Sequence, residues 1–520
     1  MERITGSLCP ECLRIIRARI YEEDGKIWIT KKCPKHGSFT DLYWGDAESY
    51  LRVQKFSHDG KGIKNPNVKK APVCPKTCGL CSLHRTHTAL GNVVVTNRCD
   101  LQCFYCFFYA KAMGYVYEPD LEKIREMLRS MRSEKPVGCN AVQLTGGEPL
   151  LRDDLLDIVR IAKEEGYTHV QLNTNGIRLA SNPKLVKKLR ETGVNTVYLS
   201  FDGTTPKTNP KNHYEAPFVL ENCRKAGLGV VLVPTVIKTV NDGEVGNILK
   251  FGLKHIRVVR GVNYQPVSLV GRITKAEVRK YRITIPEVIN LLSEQTGIVE
   301  PEDFYPIPTV TPLTHFVESL TNLPKYELST HFVCGMATYL FKDGRKVIPI
   351  TRFVDVEGLM EYLDEKAGEI RSGKNRYWVA SKVLFKLRSF IDREKQPKNI
   401  NLAKILFRIL VRGDYSSLGE LHHRTLFVGL MHFMDLWNYD IERVKRCCIH
   451  YAQPDGKIVP FCAFNVIPEW YRDRIQERYS LPIKEWERVT GKKLRDDLYR
   501  RDAKKLSSSR IYSRYYKGFV

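Results

Sequence analysis

Short apolar runs alternate with amphipathic stretches between residues 91 and 300. The runs lack strict apolar–polar alternation, which is typical of strands buried in a parallel sheet. The predicted strands are 92–96, 141–145, 168–172, 196–200, 229–235 and 256–264. The predicted helices between them include 120–132, 153–165, 184–192 and 215–226. Six such β–α units predict an α/β fold, an open partial (β/α)6 barrel with its functional groups at the carboxyl ends of the strands.

The segments on either side of this barrel have different patterns. Residues 1–60 predict an N-terminal metal-binding module with a strand at KIWIT, and residues 61–90 predict a linker that leads into an auxiliary cysteine segment. Residues 301–520 predict a mostly helical C-terminal domain. Two amphipathic stretches of this domain, near 379–391 and 402–412, carry basic residues beside their apolar positions. Such stretches are suited to binding an anionic lipid surface. Alternatively, they pack on the barrel and keep their basic sides in water.

Composition narrows the class of protein. The chain has 520 residues, 43% of them hydrophobic, which excludes disordered and fibrous classes. It contains no apolar run of the roughly 20 residues that a membrane-spanning helix needs, and its first residues, MERITGSLCPEC, do not resemble a secretory signal. We therefore expect a cytosolic protein. The net charge of +25 is compatible with nucleic acid, but no nucleic-acid-binding motif is evident, so we expect no such partner.

The 15 cysteines call for a different explanation from disulfides, because the cytosol is reducing. Grouped cysteines in such a protein predict metal ligands. The groups are Cys9, Cys12 and Cys33; Cys74, Cys78 and Cys81; Cys99, Cys103 and Cys106; and Cys334, Cys447, Cys448 and Cys462. Cys139 and Cys223 are isolated in the sequence and are predicted to be core residues.

The group at Cys99, Cys103 and Cys106 directly follows the first barrel strand. Three thiolates can hold three corners of a 4Fe–4S cluster, whereas electron-transfer clusters usually have four cysteine ligands. The fourth iron would then be free to bind a small molecule, although a zinc site could use part of this motif. Polar and small residues end the next three strands: Gly146, Gly147, Glu148 and Pro149; Asn175; Ser200 and Asp202. Glycine there allows a ligand to approach the backbone closely.

Together these motifs resemble the radical S-adenosylmethionine (SAM) superfamily. The resemblance implies that Cys99, Cys103 and Cys106 are catalytic and bind the cluster whose open iron holds SAM. It also implies that SAM is contacted by Tyr105, Gly146, Gly147, Glu148, Pro149, Asn175, Ser200 and Asp202. Reduction of the cluster would split SAM and yield a 5′-deoxyadenosyl radical, which removes hydrogen from unactivated C–H bonds.

The other groups predict further metal centres. Cys9, Cys12, Cys33 and His36 have the spacing of a tetrahedral site for one Zn or Fe ion, with Cys74 as an alternative fourth ligand. Cys74, Cys78 and Cys81 predict an auxiliary 4Fe–4S cluster whose last ligand is His84, Cys139 or substrate. Cys334, Cys447, Cys448 and Cys462 predict a second auxiliary cluster. The expected cofactors are SAM, three 4Fe–4S clusters and one mononuclear ion.

Over nearly its full length the chain resembles the archaeal tetraether lipid synthase family. The resemblance rests on CPKTCGLCSLH from Cys74, HFMD from His432, RCCIHY from Arg446 and PFCAFN from Pro460. It implies carbon–carbon bond formation between the terminal methyl carbons of isoprenoid chains in archaeal diether lipids. It also implies peripheral membrane contact, an electron donor such as ferredoxin and a monomeric state. The alternatives are a radical SAM methyltransferase acting on a pterin and a non-enzymatic zinc-ribbon protein.

Overall fold

The N-terminal residues form a small antiparallel sheet. The computed structural model describes residues 2–103, 106, 110–270, 275–398, 400–403, 405–406 and 425–519. The first strands are β1 (Glu2–Leu8), β2 (Ile15–Glu23), β3 (Lys26–Cys33) and β4 (Gly37–Trp44), paired in sequence order. Along β2, Ile16, Ala18 and Ile20 are buried, whereas Arg17 and Arg19 are exposed. One face of this sheet therefore packs against the rest of the molecule.

A parallel sheet occupies the middle of the chain. Its strands and those beside it are β5 (Leu90–Thr96), β6 (Tyr115–Tyr117), β7 (Ala141–Gly146), β8 (His169–Thr174), β9 (Thr196–Ser200), β10 (Gly229–Val233), β11 (Thr235–Val236) and β12 (Val259–Pro266). Strands β5, β7, β8, β9, β10 and β12 are neighbours in this order, and each pair is parallel. The helices between them are Leu121–Arg132, Leu155–Glu164, Ile177–Ser181, Pro183–Thr192, Ala216–Ala226 and Val245–Lys254. The predicted α/β class is confirmed.

The C-terminal part of the chain adds strands to both edges of this sheet. Its strands are β13 (Tyr305–Pro306), β14 (Gly335–Asp343), β15 (Lys346–Pro349), β16 (Thr425–Met431), β17 (Ile449–Ala452), β18 (Ile458–Pro460) and β19 (Ser480–Pro482). Strand β19 instead pairs with β6 in a separate two-stranded sheet. Strand β16 pairs in parallel with β12, and β17 pairs in parallel with β5. The expectation of a mostly helical C-terminal segment missed these strands, because a run such as TLFVGLM in β16 is apolar throughout and has no diagnostic period.

The two edges of the sheet meet near the carboxyl ends of its parallel strands. Phe433, just after β16, stacks on Phe461, just after β18, with 3.9 Å between ring centroids. The backbone N–H of Met434 donates to Sγ of Cys462 at 3.5 Å. The sheet is therefore strongly curved, and its concave side encloses a cavity.

The remaining helices cover the sheet and form a satellite core. They are Ala47–Gln54, Ala110–Met113, Lys275–Tyr281, Ile285–Thr296, Thr311–Thr321, Val356–Arg371, Arg376–Lys386, Ile441–Lys445, Phe461–Val466, Arg472–Arg478, Ile483–Thr490, Ala503–Ser507 and Arg510–Tyr516. Val379, Val383 and Leu387 of the first basic stretch are buried in this satellite core. Most of the second stretch lies outside the described residues. Within the described ranges, no helix is long and apolar enough to cross a bilayer.

Asp440 ties the N-terminal sheet to the C-terminal segment. Its carboxylate is completely buried and accepts hydrogen bonds from Nη2 of Arg3 at 2.7 Å, Oγ1 of Thr5 at 2.6 Å and Oη of Tyr43 at 2.8 Å. Burial acts to raise the pKa of Asp440. The attraction of Arg3 and the donated hydrogen bonds outweigh burial and hold this pKa below its ordinary value of 3.8. The carboxylate is therefore ionised in the folded state and stabilises the interface.

A second buried ion pair joins the same two segments. Arg282 donates through Nη1 to Oδ2 of Asp435 at 2.7 Å and through Nη2 to Oδ1 of the same residue at 3.0 Å. Its Nη2 also donates to Asp41 on β4. Because all three groups are buried, the pairing satisfies charges that would otherwise be costly to remove from water.

We expect the Asp440→Asn substitution to lower the free energy of unfolding by about 3–5 kcal/mol at neutral pH, because it leaves the Arg3 charge without its partner. The lowered pKa means that the carboxylate stabilises the fold fully above the unfolded value of 3.8, and this stabilisation is lost as the pH falls below it. The variant should lose less stability over that acid range than the parent protein. Urea unfolding from neutral pH downward measures both effects.

The matched control for this prediction is Asp496→Asn, because the side chain of Asp496 is 72% exposed. We expect that control to change stability by no more than about 0.5 kcal/mol. Equal stability of the Asp440→Asn variant and the parent protein would show that the buried carboxylate does not hold the two segments together.

Candidate functional site

The cysteine loop after β5 is held by main-chain hydrogen bonds to the loop after β7. The N–H of Gly147 donates to the carbonyl of Thr96 at 2.8 Å, and the N–H of Glu148 donates to the carbonyl of Arg98 at 2.7 Å. The buried guanidinium of Arg98 adds ion pairs to Glu118 and Asp497. The backbone directly before Cys99 is thereby fixed against the end of β7.

Glycine is required on the β7 side of this contact. A Cβ atom at Gly146 would lie 2.1 Å from the carbonyl oxygen of Thr96, and one at Gly147 would lie 2.0 Å from that of Arg98. Gly146 also has a φ of +140°, which side chains of L-residues rarely adopt. The sequence alone suggested that these glycines admit a ligand; the structure adds that they admit the backbone that carries the cysteines.

Cys99, Cys103 and Cys106 line the cavity on the concave side of the sheet. This cavity has a volume of about 270 Å³. Of the predicted SAM contacts, Gly146, Gly147, Asn175 and Ser200 line it as well. Among the described residues no fourth cysteine lines it, so the sulfur donors suit a 4Fe–4S cluster with one iron left for a small molecule. Tyr105 lies outside the described residues.

Glu148 lies behind the cavity wall, where its carboxylate joins the ends of β7 and β8. It accepts hydrogen bonds from the N–H of Leu150 at 3.1 Å, Oγ1 of Thr174 at 2.7 Å and the N–H of Asn175 at 2.8 Å. Burial, and then the nearby charge of Asp100, raise the pKa of Glu148 to about 8. Pro149 is also buried and begins a short 3-10 turn. A contact between Glu148 and SAM stays a prediction.

Lys211 is a site residue that the sequence did not single out. Its Nζ lies 2.7 Å from Oδ2 of Asp202 and donates to Oγ of Ser200 at 2.9 Å. Asp202 also accepts from the N–H of Thr235 at 2.9 Å. Lys211 lines the cavity, so it places a positive charge beside the predicted SAM contacts Ser200 and Asp202. Its only sequence signal is a lysine in the polar loop GTTPKTNPKNH, which also contains Lys207.

The N-terminal sheet brings its four predicted metal ligands together. Cys9 follows β1, Cys33 ends β3, and Cys12 and His36 lie in the turns beside them. The four ligand atoms all lie within 4.8 Å of one another. Cys74 does not belong to this group. Over the described parts of the chain no other set of three or more cysteine, histidine or carboxylate groups is as compact. This geometry suits one tetrahedral ion.

The C-terminal cysteines converge although they are scattered in the sequence. Burial is the main cause that raises the pKa of Cys447 to about 12, and the neighbouring Cys448 adds to it. Burial, and then the neighbouring Cys334, raise the pKa of Cys448 to about 12 as well. Arg443 is fully buried and donates through Nε to Sγ of Cys334 at 3.4 Å. No described carboxylate pairs with this guanidinium, so its positive charge lies directly beside the sulfur of Cys334.

Cys74, Cys78 and Cys81 also lie close to one another. Burial, and then the neighbouring Cys81, raise the pKa of Cys74 to about 12. Both alternatives for a fourth protein ligand have other partners. His84 Nε2 lies 2.8 Å from the carbonyl oxygen of Cys447, and Cys139 donates its thiol hydrogen to the carbonyl of Ala141 at 3.1 Å. The fourth ligand of the predicted cluster stays a prediction.

Comparison with known proteins identifies the family. The radical SAM superfamily model matches residues 93–252, and the model described as the HMPTM N-terminal zinc ribbon domain matches residues 1–45. The 7,8-dihydro-6-hydroxymethylpterin dimethyltransferase of Methanocaldococcus jannaschii is 48% identical over 500 residues, covering 94% of this chain and 98% of that protein. The chain belongs to this dimethyltransferase family. It is a radical SAM enzyme, and this class implies SAM and a 4Fe–4S cluster as cofactors.

Two further similarities cover part of the chain. The GTP 3′,8-cyclase of Aquifex aeolicus is 30% identical over 224 residues, which is 42% of this chain and 66% of that protein. The crystal structure of methylornithine synthase (PylB) superposes with a TM-score of 0.30 and 17% identity over 40% of this chain and 64% of that chain.

The predicted radical SAM superfamily is confirmed, but the narrower prediction of a tetraether lipid synthase was wrong. The 48% identity to a pterin dimethyltransferase overturns the predicted lipid carbon–carbon bond formation and the predicted diether lipid partners, and it agrees with the methyltransferase alternative. Cysteine spacings misled because they report which metal centres a chain holds, not which substrate it binds. The zinc-ribbon match over residues 1–45 agrees with the predicted metal-binding module at the N-terminus.

Proposed function

We propose that the protein is a radical SAM methyltransferase that acts on 7,8-dihydro-6-hydroxymethylpterin. The observation that carries this proposal is the 48% identity to a dimethyltransferase of that pterin over 94% of the chain. Because the similarity covers nearly the whole length of both proteins, it includes the cavity and the C-terminal cysteines and not only the shared radical SAM core.

The cavity supports a compact polar substrate. Amide side chains from four of its strands line the cavity: Asn92, Gln143, Asn173, Asn263 and Gln265. A dihydropterin is a small bicyclic ring with several hydrogen-bond donors and acceptors, so amides are suitable partners for it.

The chain's residues have separate roles in this proposal. Cys99, Cys103 and Cys106 hold the cluster, which together with SAM supplies a carbon radical able to remove hydrogen from an unactivated C–H bond. Lys211 balances the charge of Asp202 beside the SAM pocket. Glu148 fixes the loops after β7 and β8.

We also propose resident metals for the remaining cysteine groups. Zinc is bound by Cys9, Cys12, Cys33 and His36, and two auxiliary 4Fe–4S clusters are bound by the sets Cys74, Cys78, Cys81 and Cys334, Cys447, Cys448, Cys462. The compact N-terminal donor set supports the first assignment. The buried Arg443 beside Cys334 supports the last.

An anaerobic assay tests this function. Reconstituted protein is incubated with a reductant, the dihydropterin and SAM labelled in its methyl group, and in parallel with the small-molecule fraction of cell extract as an additional methyl source. We expect 5′-deoxyadenosine and a pterin product heavier by one or two methyl groups, with the label showing where the methyl carbon comes from. Formation of 5′-deoxyadenosine with an unchanged pterin under both conditions would refute the proposal.

A further inference from the structure

Asn263 is a buried amide in the cavity that has no hydrogen-bond partner among the described residues. It lies on β12 opposite Gly429 of β16 and is 5% exposed. Its side chain lines the cavity, yet it makes no hydrogen bond to any residue within the described ranges. Most buried polar side chains have a hydrogen-bond partner, so this amide is suited to a ligand.

Three amides on other strands differ from Asn263 because they bond to one another. The side-chain NH₂ of Gln171 donates to Oε1 of Gln143 at 2.5 Å, and that of Gln143 donates to Oδ1 of Asn92 at 2.8 Å. The chain of bonds ends where Asn92 donates to the carbonyl of His450 at 3.4 Å. Gln171, Gln143 and Asn92 are directly paired on β8, β7 and β5, so they form a polar layer across these three strands.

Glycine at position 429 leaves room for the Asn263 amide. A Cβ atom there would lie 3.0 Å from Oδ1 of Asn263 and 2.6 Å from Cε1 of Phe427. A side chain on β16 at this point would therefore press on the amide or on the neighbouring ring. The space beside Asn263 is present because β12 pairs with β16 at a glycine, Gly429.

Aromatic rings form another part of the same cavity wall. Phe433, Tyr451 and Phe461 all line it. Phe433 stacks on Phe461 at 3.9 Å, and Tyr451 lies 5.4 Å from Phe461, measured between ring centroids. Such rings offer flat apolar surfaces on which a planar heterocycle stacks, while a small number of polar groups fix its orientation.

We propose that Asn263 binds the hydrogen-bonding edge of the pterin ring while Phe433, Tyr451 and Phe461 cover the ring's apolar surface. This inference rests on the proposed function. The pyrimidine half of a pterin presents a ring N–H beside a carbonyl oxygen, and one amide can accept from the first and donate to the second. Asn263 is then the residue that selects a 4-oxo ring over rings with other edges.

Substitution of Asn263 in the reconstituted full-length protein tests the proposal. We expect Asn263→Leu to weaken binding of 7,8-dihydro-6-hydroxymethylpterin by about 10- to 100-fold in equilibrium dialysis, since one bonded edge loses its partner. SAM affinity and 5′-deoxyadenosine formation without the pterin should stay unchanged. Asn247→Leu is the matched control, because Asn247 lies on helix Val245–Lys254 outside the cavity.

A second variant keeps the test decisive if leucine disturbs folding. Asn263→Asp preserves the shape but replaces the donor with an acceptor, so it should lose affinity for the 4-oxo pterin, whose carbonyl oxygen then faces a carboxylate oxygen. Iron content and unfolding curves confirm that each variant is folded.

The outcomes separate this inference from the proposed function. If the parent protein binds SAM but not the pterin, the proposed function fails. If the parent protein binds the pterin and both Asn263 variants bind it equally well, only the inference fails. Weakened SAM binding with unchanged pterin binding would assign the amide to the adenine of SAM and would also overturn it.

Discussion

The Cys103→Ala variant is expected to form no 5′-deoxyadenosine from SAM under reducing anaerobic conditions. Two remaining thiolates cannot hold a cluster that three share, and without it no electron reaches SAM. The rate should fall to that without enzyme, a loss of at least about 10⁶-fold, which is the lower end of typical enzymatic acceleration. Chromatography of the nucleoside products measures the rate, and iron and sulfide analysis measures loss of the cluster.

Cys223→Ala is the matched control for this prediction. Cys223 is completely buried on helix Ala216–Ala226 and does not line the cavity. It should keep its full iron content and activity, and zinc content should be unchanged in both variants. Normal SAM cleavage by Cys103→Ala would show that the cysteines lining the cavity do not hold the catalytic cluster.

The second large effect is expected from Gly147→Ala. The new Cβ atom would lie 2.0 Å from the carbonyl oxygen of Arg98 and 2.6 Å from its carbonyl carbon. Because both atoms belong to the backbone, no side-chain rotation relieves the clash, and the segment carrying Cys99 must move. A displacement of about 1 Å costs roughly 10²-fold in rate, so we expect at least that loss in 5′-deoxyadenosine formation.

Gly368→Ala separates this clash from a general effect of the substitution. Gly368 lies in helix Val356–Arg371, and a Cβ atom there meets nothing within 4 Å. Alanine is favoured over glycine in a helix by up to about 1 kcal/mol, so this control should be neutral or slightly more stable. Wild-type activity of Gly147→Ala would mean that the two loops are not packed as described.

The barrel strands and the cysteine loop could be predicted because their signals are local. Each predicted strand is a short apolar run bounded by polar turn residues, and the Cys99–Cys106 motif lies within eight residues of sequence. The compact site at Cys9 and His36 could be predicted for the same reason, since its ligands occupy two turns of one small sheet.

Features that depend on distant pairing could not be predicted. Strand β16 pairs with β12 across more than 160 residues, and its apolar run fits a buried helix equally well. Asn263 and Lys211 are ordinary polar residues in the sequence, and only the cavity they line distinguishes them. The substrate class was missed because metal-binding motifs constrain the cofactor, whereas the substrate is selected by the residues that line the cavity.

The attachment of the N-terminal sheet through Asp440 is completed only late in synthesis, when the C-terminal segment emerges. Arg3 and Asp440 are separated by 437 positions, so at about 5–20 residues per second the first strand waits roughly 20 to 90 seconds for its partner to be synthesised. During that time the first strand lacks the buried carboxylate that holds it to the C-terminal segment.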